Sequence, residues 1–266
     1  MSTATARLVH FACGHAVRWL LLVGLLGACT PQAPSPPPAA AVAAHPDLSG
    51  VWMAFAAVAP DGGSAPKYSA EGQATLDAFS SQFKQIPETG AFCVPGGMPS
   101  VMLATVSYPI EIVQTPNRLV MLAELEMQLR RVFLDGRAHP TDYLPTGVGH
   151  SVGRWDGDQL VVDTTLLEEW QVKPWPRSEQ THIVERLYLT KRAAVSAPTN
   201  AFVATVEKPI NDDVLVVELA VTDPTLYDGP QKRTAYYQRM ADTATLEYAC
   251  AAELWLKELE KNRVSK

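Results

Sequence analysis

Short runs of alternating apolar and polar residues occupy most of the chain after residue 107, and this alternation predicts β-strands. Asp156-Gly157 separates two such runs and predicts a tight hairpin, because glycine adopts the positive φ that these turns need. Neighbouring strands are therefore expected to be antiparallel. The predicted strands are residues 108–114, 118–134, 153–155, 159–165, 182–189, 201–206, 214–222 and 234–240.

Two helices are predicted at the edges of this β-rich region. Ser69 is a good N-cap residue, and the apolar residues from Leu76 to Ile86 recur at spacings of three and four. Residues 251–262 combine strong helix formers with a Glu253 and Lys257 pair four positions apart. The pattern as a whole predicts a mainly β domain with one or two peripheral α-helices.

Two short motifs resemble those of lipocalin-like (calycin) barrels. Residues 47–52 read DLSGVW, which is similar to the Gly-x-Trp opening of that class, where the glycine lets the strand bend and the tryptophan closes the barrel floor. Residues 154–161 place a second tryptophan in a hairpin pattern that is also common in these barrels. The resemblance implies an antiparallel lipocalin-like barrel, or a strongly curved sheet, whose interior holds a small apolar ligand.

The longer pattern from residue 47 to residue 250 resembles a family of uncharacterised exported bacterial proteins. The shared motifs are DLSGVW at 47–52, YPIEIVQTP at 108–116, DGRAHP at 135–140, GVGHSVGRWDGD at 147–158, DT at 163–164, HIVER at 182–186, TDP at 222–224 and EYAC at 247–250. This resemblance implies no particular activity. The chain departs from the pattern at Arg177, where a histidine is expected, and it continues past Cys250 into a predicted helix.

The first 28 residues have the anatomy of a cleaved export signal. Arg7 and Arg18 precede an apolar stretch, residues 20–26, that is too short to span a bilayer. The run LLGAC at 25–29 reads as a lipobox, which predicts cleavage before Cys29 and lipidation of this cysteine. An ordinary signal peptide that precedes a buried Cys29 is the alternative. Thr30 favours sorting to the outer membrane, so the chain is expected to be a periplasm-facing outer-membrane lipoprotein of the cell envelope.

Residues 29–46 are rich in proline, alanine and serine, and this composition predicts an extended linker after the lipidated cysteine. A single β-rich domain is expected to occupy residues 47–266. Residues 1–28 contain two of the 22 basic residues and none of the 28 acidic ones, so the net charge of the remaining chain is 20 − 28 = −8. This balance argues against nucleic acid as a partner, and it leaves the lipid anchor as the only expected membrane contact.

Cys93 and Cys250 are the two cysteines that remain in the predicted domain. An oxidising compartment favours a disulfide between them, and two separate buried thiols are the alternative. The sequence contains no CxxC pair, glycine-rich phosphate loop or dinucleotide fingerprint, so no cofactor is expected.

The predicted strand 118–134 carries unusual polarity, because Glu124, Glu126, Gln128 and Arg130 alternate with apolar residues. If this polar face points into a barrel cavity, Glu124 and Arg130 become buried partners that select the polar end of a ligand. If it points outward, it is a solvated face with cross-strand ion pairs. The ligand-binding candidates are Trp52, Glu111, Glu124, Arg130 and Trp155.

Three histidines of the predicted domain, His139, His150 and His182, lie in separate segments without metal-binding spacing, and no metal site is predicted. His150, in a glycine-rich loop, is the leading candidate for a general acid or base. His182 and Glu185 are the next candidates, although they alternate to opposite faces of one strand. Asp163 is a candidate helper, and His139, next to a proline, is interpreted as a residue that orders its loop.

Residues 149–153 match the G-x-S-x-G motif of serine hydrolases. A nucleophile elbow needs a strand before the serine and a helix after it, whereas here a Pro-Thr-Gly turn precedes and a β-hairpin follows. Serine hydrolysis is therefore disfavoured.

Three hypotheses on function remain. The leading one is a lipid-anchored envelope protein that binds a small, partly apolar molecule. The alternative is a cofactor-independent acid/base enzyme, such as an isomerase, lyase or hydrolase, in which His150 shuttles the proton. The second alternative is an envelope scaffold without a pocket. Convergence of His150, Glu124, Arg130 and Asp163 on one cavity would favour the first two.

Overall fold

Nine β-strands form one closed barrel in the order of the chain, and β9 pairs with β1 to close it. The computed structural model describes residues 45–60, 65–89, 94–103, 108–197, 209–241, 244–247 and 252–264. The strands in that part of the chain are β1 (Gly50–Val58), β2 (Pro109–Thr115), β3 (Arg118–Ala123), β4 (Gln128–Phe133), β5 (His150–Asp156), β6 (Gln159–Thr165), β7 (His182–Lys191), β8 (Pro209–Thr222) and β9 (Gln231–Met240). The prediction of a mainly β barrel is confirmed.

Neighbouring strands are antiparallel, as predicted, with the exception of β4 and β5. These two run parallel, with Val132 opposite Ser151 and Phe133 opposite Val152. A parallel pair cannot be joined by a tight hairpin and needs a long connection, which residues 134–149 supply here. This connection carries His139 to the outer surface of the barrel, beside β5.

Inward-facing side chains fill the barrel. Trp52 and Tyr237 are both 0% exposed and are among the largest of these residues. The indole Nε1 of Trp52 donates to the Leu48 carbonyl at 2.9 Å, and the Tyr237 hydroxyl donates to the Met102 carbonyl at 2.6 Å. In a barrel of this size the interior is a packed core, so burial of apolar area stabilises the fold from within.

Three helices flank the barrel in the described part of the chain: α1 (Ala70–Ser80), α2 (Ser100–Leu103) and α3 (Ala252–Lys261). The Ser69 side chain caps α1 by accepting the Gly72 amide at 2.8 Å, as predicted. Phe83, beyond the end of α1, packs with Trp255 of α3 in a small apolar cluster. None of the described helices combines the length and the apolar character that a membrane-crossing helix requires.

The predicted single strand 118–134 is wrong, because this segment is a hairpin of β3 and β4. A short 3₁₀ turn at Leu125–Met127 reverses the chain, with φ of 60° at Glu126 and 51° at Met127. The turn contains neither glycine nor proline, so the sequence gives no turn signal there. The Glu126 carboxylate accepts the Gly96 amide at 2.8 Å and the Gln128 side chain at 3.1 Å, and these contacts stabilise the unusual backbone.

Other predicted segments have mixed outcomes. The hairpin at Asp156-Gly157 is confirmed: it joins β5 to β6, with a φ of 59° at Gly157. The predicted strand 153–155 is longer and begins at His150. The predicted strand 201–206 and the three cysteines assigned to lipidation and the disulfide, Cys29, Cys93 and Cys250, lie outside the described residues.

Candidate functional site

Asp163 lies at the centre of a polar cluster on the outer face of the barrel. Strand register places it opposite Val152 of β5 and Val184 of β7. Residues two positions along a neighbouring strand share the same face and are diagonal neighbours. This register brings His150 to one side of Asp163 and His182 to the other.

A continuous chain of hydrogen bonds, here called the histidine relay, joins His150, His139, Asp163 and His182. The Nδ1 atoms of His150 and His139 are 2.9 Å apart. The Nε2 atom of His139 is 3.0 Å from Asp163 Oδ1, and the Nε2 atom of His182 is 2.9 Å from Asp163 Oδ2. A bond between two imidazoles needs one donor and one acceptor, so the two Nδ1 atoms share a single proton.

His139 enters the relay from the long connection between β4 and β5 rather than from a strand. The return of this connection to β5 depends on Gly149, whose φ is +68°. A side chain at Gly149 would place its Cβ 2.5 Å from the Thr165 carbonyl oxygen. The Gly149 amide also donates to the Thr146 hydroxyl at 3.0 Å, which holds the chain as it enters β5. Glycine at this position therefore sets where His150 begins its strand.

His150 is the most buried histidine of the relay, at 8% exposed. Its ring stacks on Phe133 with 5.2 Å between centroids, and Tyr143 approaches edge-on at 6.1 Å. Burial lowers the pKa of His150 below its usual 6.5, and the neighbouring His139 and Arg137 lower it further. His150 is thus mainly neutral at pH 7 and can act as a base.

A pocket of about 330 Å³ opens beside His150 on the outer face of the barrel. Its apolar wall includes Leu129, Phe133, Leu144, Val148 and Leu166. Its polar groups are those of Arg131, Tyr143, Thr146 and His150. Within the described chain, the Nε2 atom of His150 has no hydrogen-bond partner, so this lone nitrogen is available to a bound molecule.

The opposite face of the same strands carries a second polar cluster, sealed inside the barrel. Arg130 is 1% exposed and forms a bidentate ion pair with Glu185, which is 0% exposed. The remaining guanidinium bonds go to the Ser151 hydroxyl at 3.2 Å and the Thr164 hydroxyl at 3.0 Å. Here this set is called the inner cluster. Every nitrogen of Arg130 is bonded, so the cluster has no group left for a ligand.

The ligand-binding candidates do not converge on one cavity. Trp52 belongs to the closed core and Arg130 to the inner cluster. Trp155 stacks on His45 with 4.5 Å between ring centroids. Glu111 accepts the Thr245 hydroxyl at 3.1 Å, and Glu124 accepts the Leu246 amide at 2.7 Å. The pairing of Glu124 with Arg130 that a cavity-facing strand would give does not form, because the turn at 125–127 separates the two residues and Arg130 pairs with Glu185 instead.

The catalytic candidates are largely brought together. His150, Asp163 and His182 lie in one hydrogen-bonded group, whereas Glu185 lies inside the barrel. The expectation that His182 and Glu185 occupy opposite faces of β7 is confirmed. His139 was not among the catalytic candidates, although its motif is visible in the sequence. Only the crossover connection shows that it joins His150 to Asp163.

Arg177, one of the two points at which the chain departs from the resemblance given above, is a structural residue in this fold. It is 2% exposed and donates to the carbonyls of Gly96 at 2.6 Å, Met98 at 2.9 Å and Glu168 at 3.1 Å. Burial lowers its pKa to about 10. Arg177 thereby joins two loops at the end of the barrel.

Metal binding and similarity to known proteins add no further residues to the site. In the described part of the chain, no group of three or more His, Cys, Asp or Glu side chains is placed to hold a metal ion. No protein-family model and no curated protein matches the chain. The function is therefore inferred from the side chains of the relay and its pocket.

Proposed function

We propose that the chain is a cofactor-independent acid/base enzyme that acts on a small, partly apolar molecule bound beside His150. The observation that supports this proposal is the histidine relay, which ends at an open pocket with a free imidazole nitrogen. A base without a pocket would have no substrate, and a pocket without a base would have no chemistry. This chain has both on one face of the barrel.

The relay can store and return one proton. His139 donates its Nε2 proton to Asp163, so its Nδ1 accepts the Nδ1 proton of neutral His150. When His150 Nε2 takes a proton from the substrate or from a water molecule, its Nδ1 proton passes to His139. The positive charge then lies on His139, beside the Asp163 carboxylate. The reverse movement delivers the proton to the product.

Asp163 and His182 have supporting roles in this mechanism. The carboxylate of Asp163 selects the tautomer of His139 and stabilises its charged form, as carboxylates do for catalytic histidines elsewhere. The bond from His182 holds the second carboxylate oxygen and restricts its rotation. Proton transfer by a placed side chain typically contributes about 10² to 10⁴-fold to a rate.

A search for isotope incorporation tests this function without a prior choice of substrate. The full chain is incubated with a small-molecule extract of the cell envelope in water enriched in deuterium or in oxygen-18. Mass spectrometry then detects molecules that acquire deuterium at a carbon atom, or an oxygen-18 atom, from the water. We expect incorporation with the native chain, its loss with His150→Gln, and a reduced rate with His139→Gln.

His45→Gln is the matched control, because His45 stacks on Trp155 and takes no part in the relay. It should incorporate isotope at the native rate. Incorporation that survives in His150→Gln would overturn the proposed mechanism. No incorporation with the native chain or with any variant would instead favour the second candidate, a module that binds its ligand without chemistry. The exposed apolar wall of the pocket, with Leu144 at 86% exposed, supports that candidate.

We also propose that the protein is a periplasm-facing lipoprotein anchored through Cys29 and cross-linked between Cys93 and Cys250. The LLGAC run and the spacer that follows it support the anchor. Labelled palmitate should enter the native chain and not a Cys29→Ala variant, which should also leave the membrane fraction. Alkylation before and after reduction should show two additional reactive thiols only after reduction. Native-level labelling of Cys29→Ala, or free thiols before reduction, would contradict these assignments.

A further inference from the structure

We infer that the pocket beside His150 binds small carboxylates with an apolar body, and that Arg131 receives the carboxylate. This inference rests on the proposed function, since it names the class of substrate for that same site. It is supported by the charges around the pocket, the bonding state of Arg131 and the shape of the apolar wall.

The charge of the pocket favours an anion. Among the described residues that line it, Arg131 is the only permanently charged one, and none is acidic. Two further cations lie close by, with the guanidinium of Arg137 at 3.9 Å and that of Arg118 at 5.6 Å from the centre of the Phe133 ring. Asp135 offsets Arg137, and no acid within the described chain offsets Arg131. A negatively charged ligand would therefore be stabilised electrostatically at this position.

Arg131 differs from its neighbour Arg130 in its exposure and in its bonding. Arg130 points into the barrel, and each of its three side-chain nitrogens is bonded within the inner cluster. Arg131 is exposed on the outer face of β4, opposite Val120 of β3, and it makes no ion pair with any other described residue. A free guanidinium offers two parallel donors that match the two oxygens of a carboxylate.

The rest of the wall is suited to an apolar body. Leu129 is 42% exposed and Leu144 is 86% exposed, and both line the pocket together with the ring of Phe133. Covering such side chains removes apolar area from water, which is favourable in proportion to the area covered. An amphipathic ligand can thus rest on the leucines while its carboxylate meets Arg131.

Binding of an anion in this pocket also couples to the relay. His150 lines the same pocket, and its pKa is held below the usual value by burial and by the neighbouring His139 and Arg137. A carboxylate bound nearby would favour the charged imidazolium and raise the pKa of His150. The ligand would thereby help His150 to accept a proton.

Two pairs of matched probes test this inference in the full chain: octanoate with octanamide, and 4-phenylbutanoate with 4-phenylbutanamide. Each amide keeps the apolar body and removes the charge. Calorimetric titration measures affinity, and NMR of carbon-13 labelled histidine follows the pKa of His150. We expect each acid to bind about 10-fold or more tightly than its amide, since a charged hydrogen bond is stronger than a neutral one. Only the acids should raise the pKa of His150.

The group that binds the carboxylate is identified with three variants, Arg131→Gln, Arg131→Lys and Arg154→Gln. The preference for acid should vanish in Arg131→Gln and persist in part in Arg131→Lys. Arg154→Gln is the matched control, because Arg154 is exposed on β5 outside the pocket lining and should bind like the native chain.

Equal affinity for acid and amide, failure of both acids to bind, or a preference that persists in Arg131→Gln would overturn the inference. Tight binding of only one of the acids supports it and indicates whether the body is linear or aromatic. The proposed function fails by different results: no isotope incorporation with the native chain, or incorporation that survives the loss of His150. A preference for carboxylates without any isotope incorporation would therefore support the binding site and exclude the proposed enzyme activity.

Discussion

The inner cluster and the histidine relay lie on the same strands, only one peptide bond apart in places. Ser151 of the inner cluster follows His150 of the relay, and Thr164 follows Asp163. The inner cluster is sealed, and each nitrogen of Arg130 has a partner. The relay is partly exposed, with the side chain of His182 at 39% exposed and a free nitrogen on His150. Because successive side chains of a strand point to opposite faces, adjacent residues belong to a sealed structural cluster and to a partly exposed relay.

This contrast shows that hydrogen bonding alone does not identify a working site. A saturated buried pair joins strands and has no free group for a ligand or proton. A chain of titratable groups that ends at a pocket can exchange a proton with a substrate.

Glu185→Ala should lower the free energy of unfolding by about 3 to 5 kcal/mol, because it leaves the Arg130 charge buried without a partner. Urea unfolding measures this loss. The double variant Arg130→Met with Glu185→Leu is the control, since it replaces both charges by apolar groups, and it should lose much less. If Glu185→Ala cost under about 1 kcal/mol, the inner cluster would not be the sealed structural pair described above.

Gly149→Ala should destabilise the fold by more than Gly157→Ala. Both glycines have positive φ, which alone costs about 1 to 2 kcal/mol with a side chain present. A Cβ at Gly157 meets nothing within 4 Å, whereas at Gly149 it approaches the Thr165 carbonyl. The difference between the two unfolding free energies measures this clash. Equal losses would show that the entry of the chain into β5 tolerates a side chain.

His150 should make stability depend on pH in a defined direction. Its pKa is lower in the folded chain than the 6.5 expected when unfolded, so the unfolded state binds more protons as the pH falls through that value. The stabilising contribution of His150 is therefore complete above about pH 6.5 and declines below it. The unfolding free energy lost in His150→Gln should be larger at pH 7.5 than at pH 5. A constant difference over this range would contradict the lowered pKa.

His182→Gln should have the smallest effect on stability, under about 1 kcal/mol, because the bond to Asp163 is partly exposed. Isotope incorporation should nevertheless slow, since Asp163 loses the contact that orients its second oxygen. Thermal unfolding and the incorporation rate are measured on the same sample. A large loss of stability with an unchanged rate would assign His182 to the fold instead of the relay.

The pattern of residues predicted much of the fold and part of the site. Alternation within strands predicted a mainly β domain, and Asp156-Gly157 predicted its hairpin, because both signals are local. The barrel itself was implied only by the resemblance of two short motifs to lipocalin-like proteins. The turn at 125–127 was missed, since its left-handed residues are Glu126 and Met127 and the contacts that stabilise them come from Gly96 and Gln128. Alternation continued across this turn and concealed it.

The sequence by itself determined which residues have the chemistry for a site: His150, Asp163 and His182 were identified individually from their residue types and motifs. Only the tertiary structure decided which of them meet. Register places Asp163 between two histidines, and the crossover from β4 to β5 places His139 where it bonds both His150 and Asp163. Strand faces likewise sent Arg130 inward to Glu185 and left Arg131 outside. The physical reason is that residue types are properties of single positions, whereas proton transfer and ion pairing require atoms within about 3 Å, which strands distant in sequence reach only after folding.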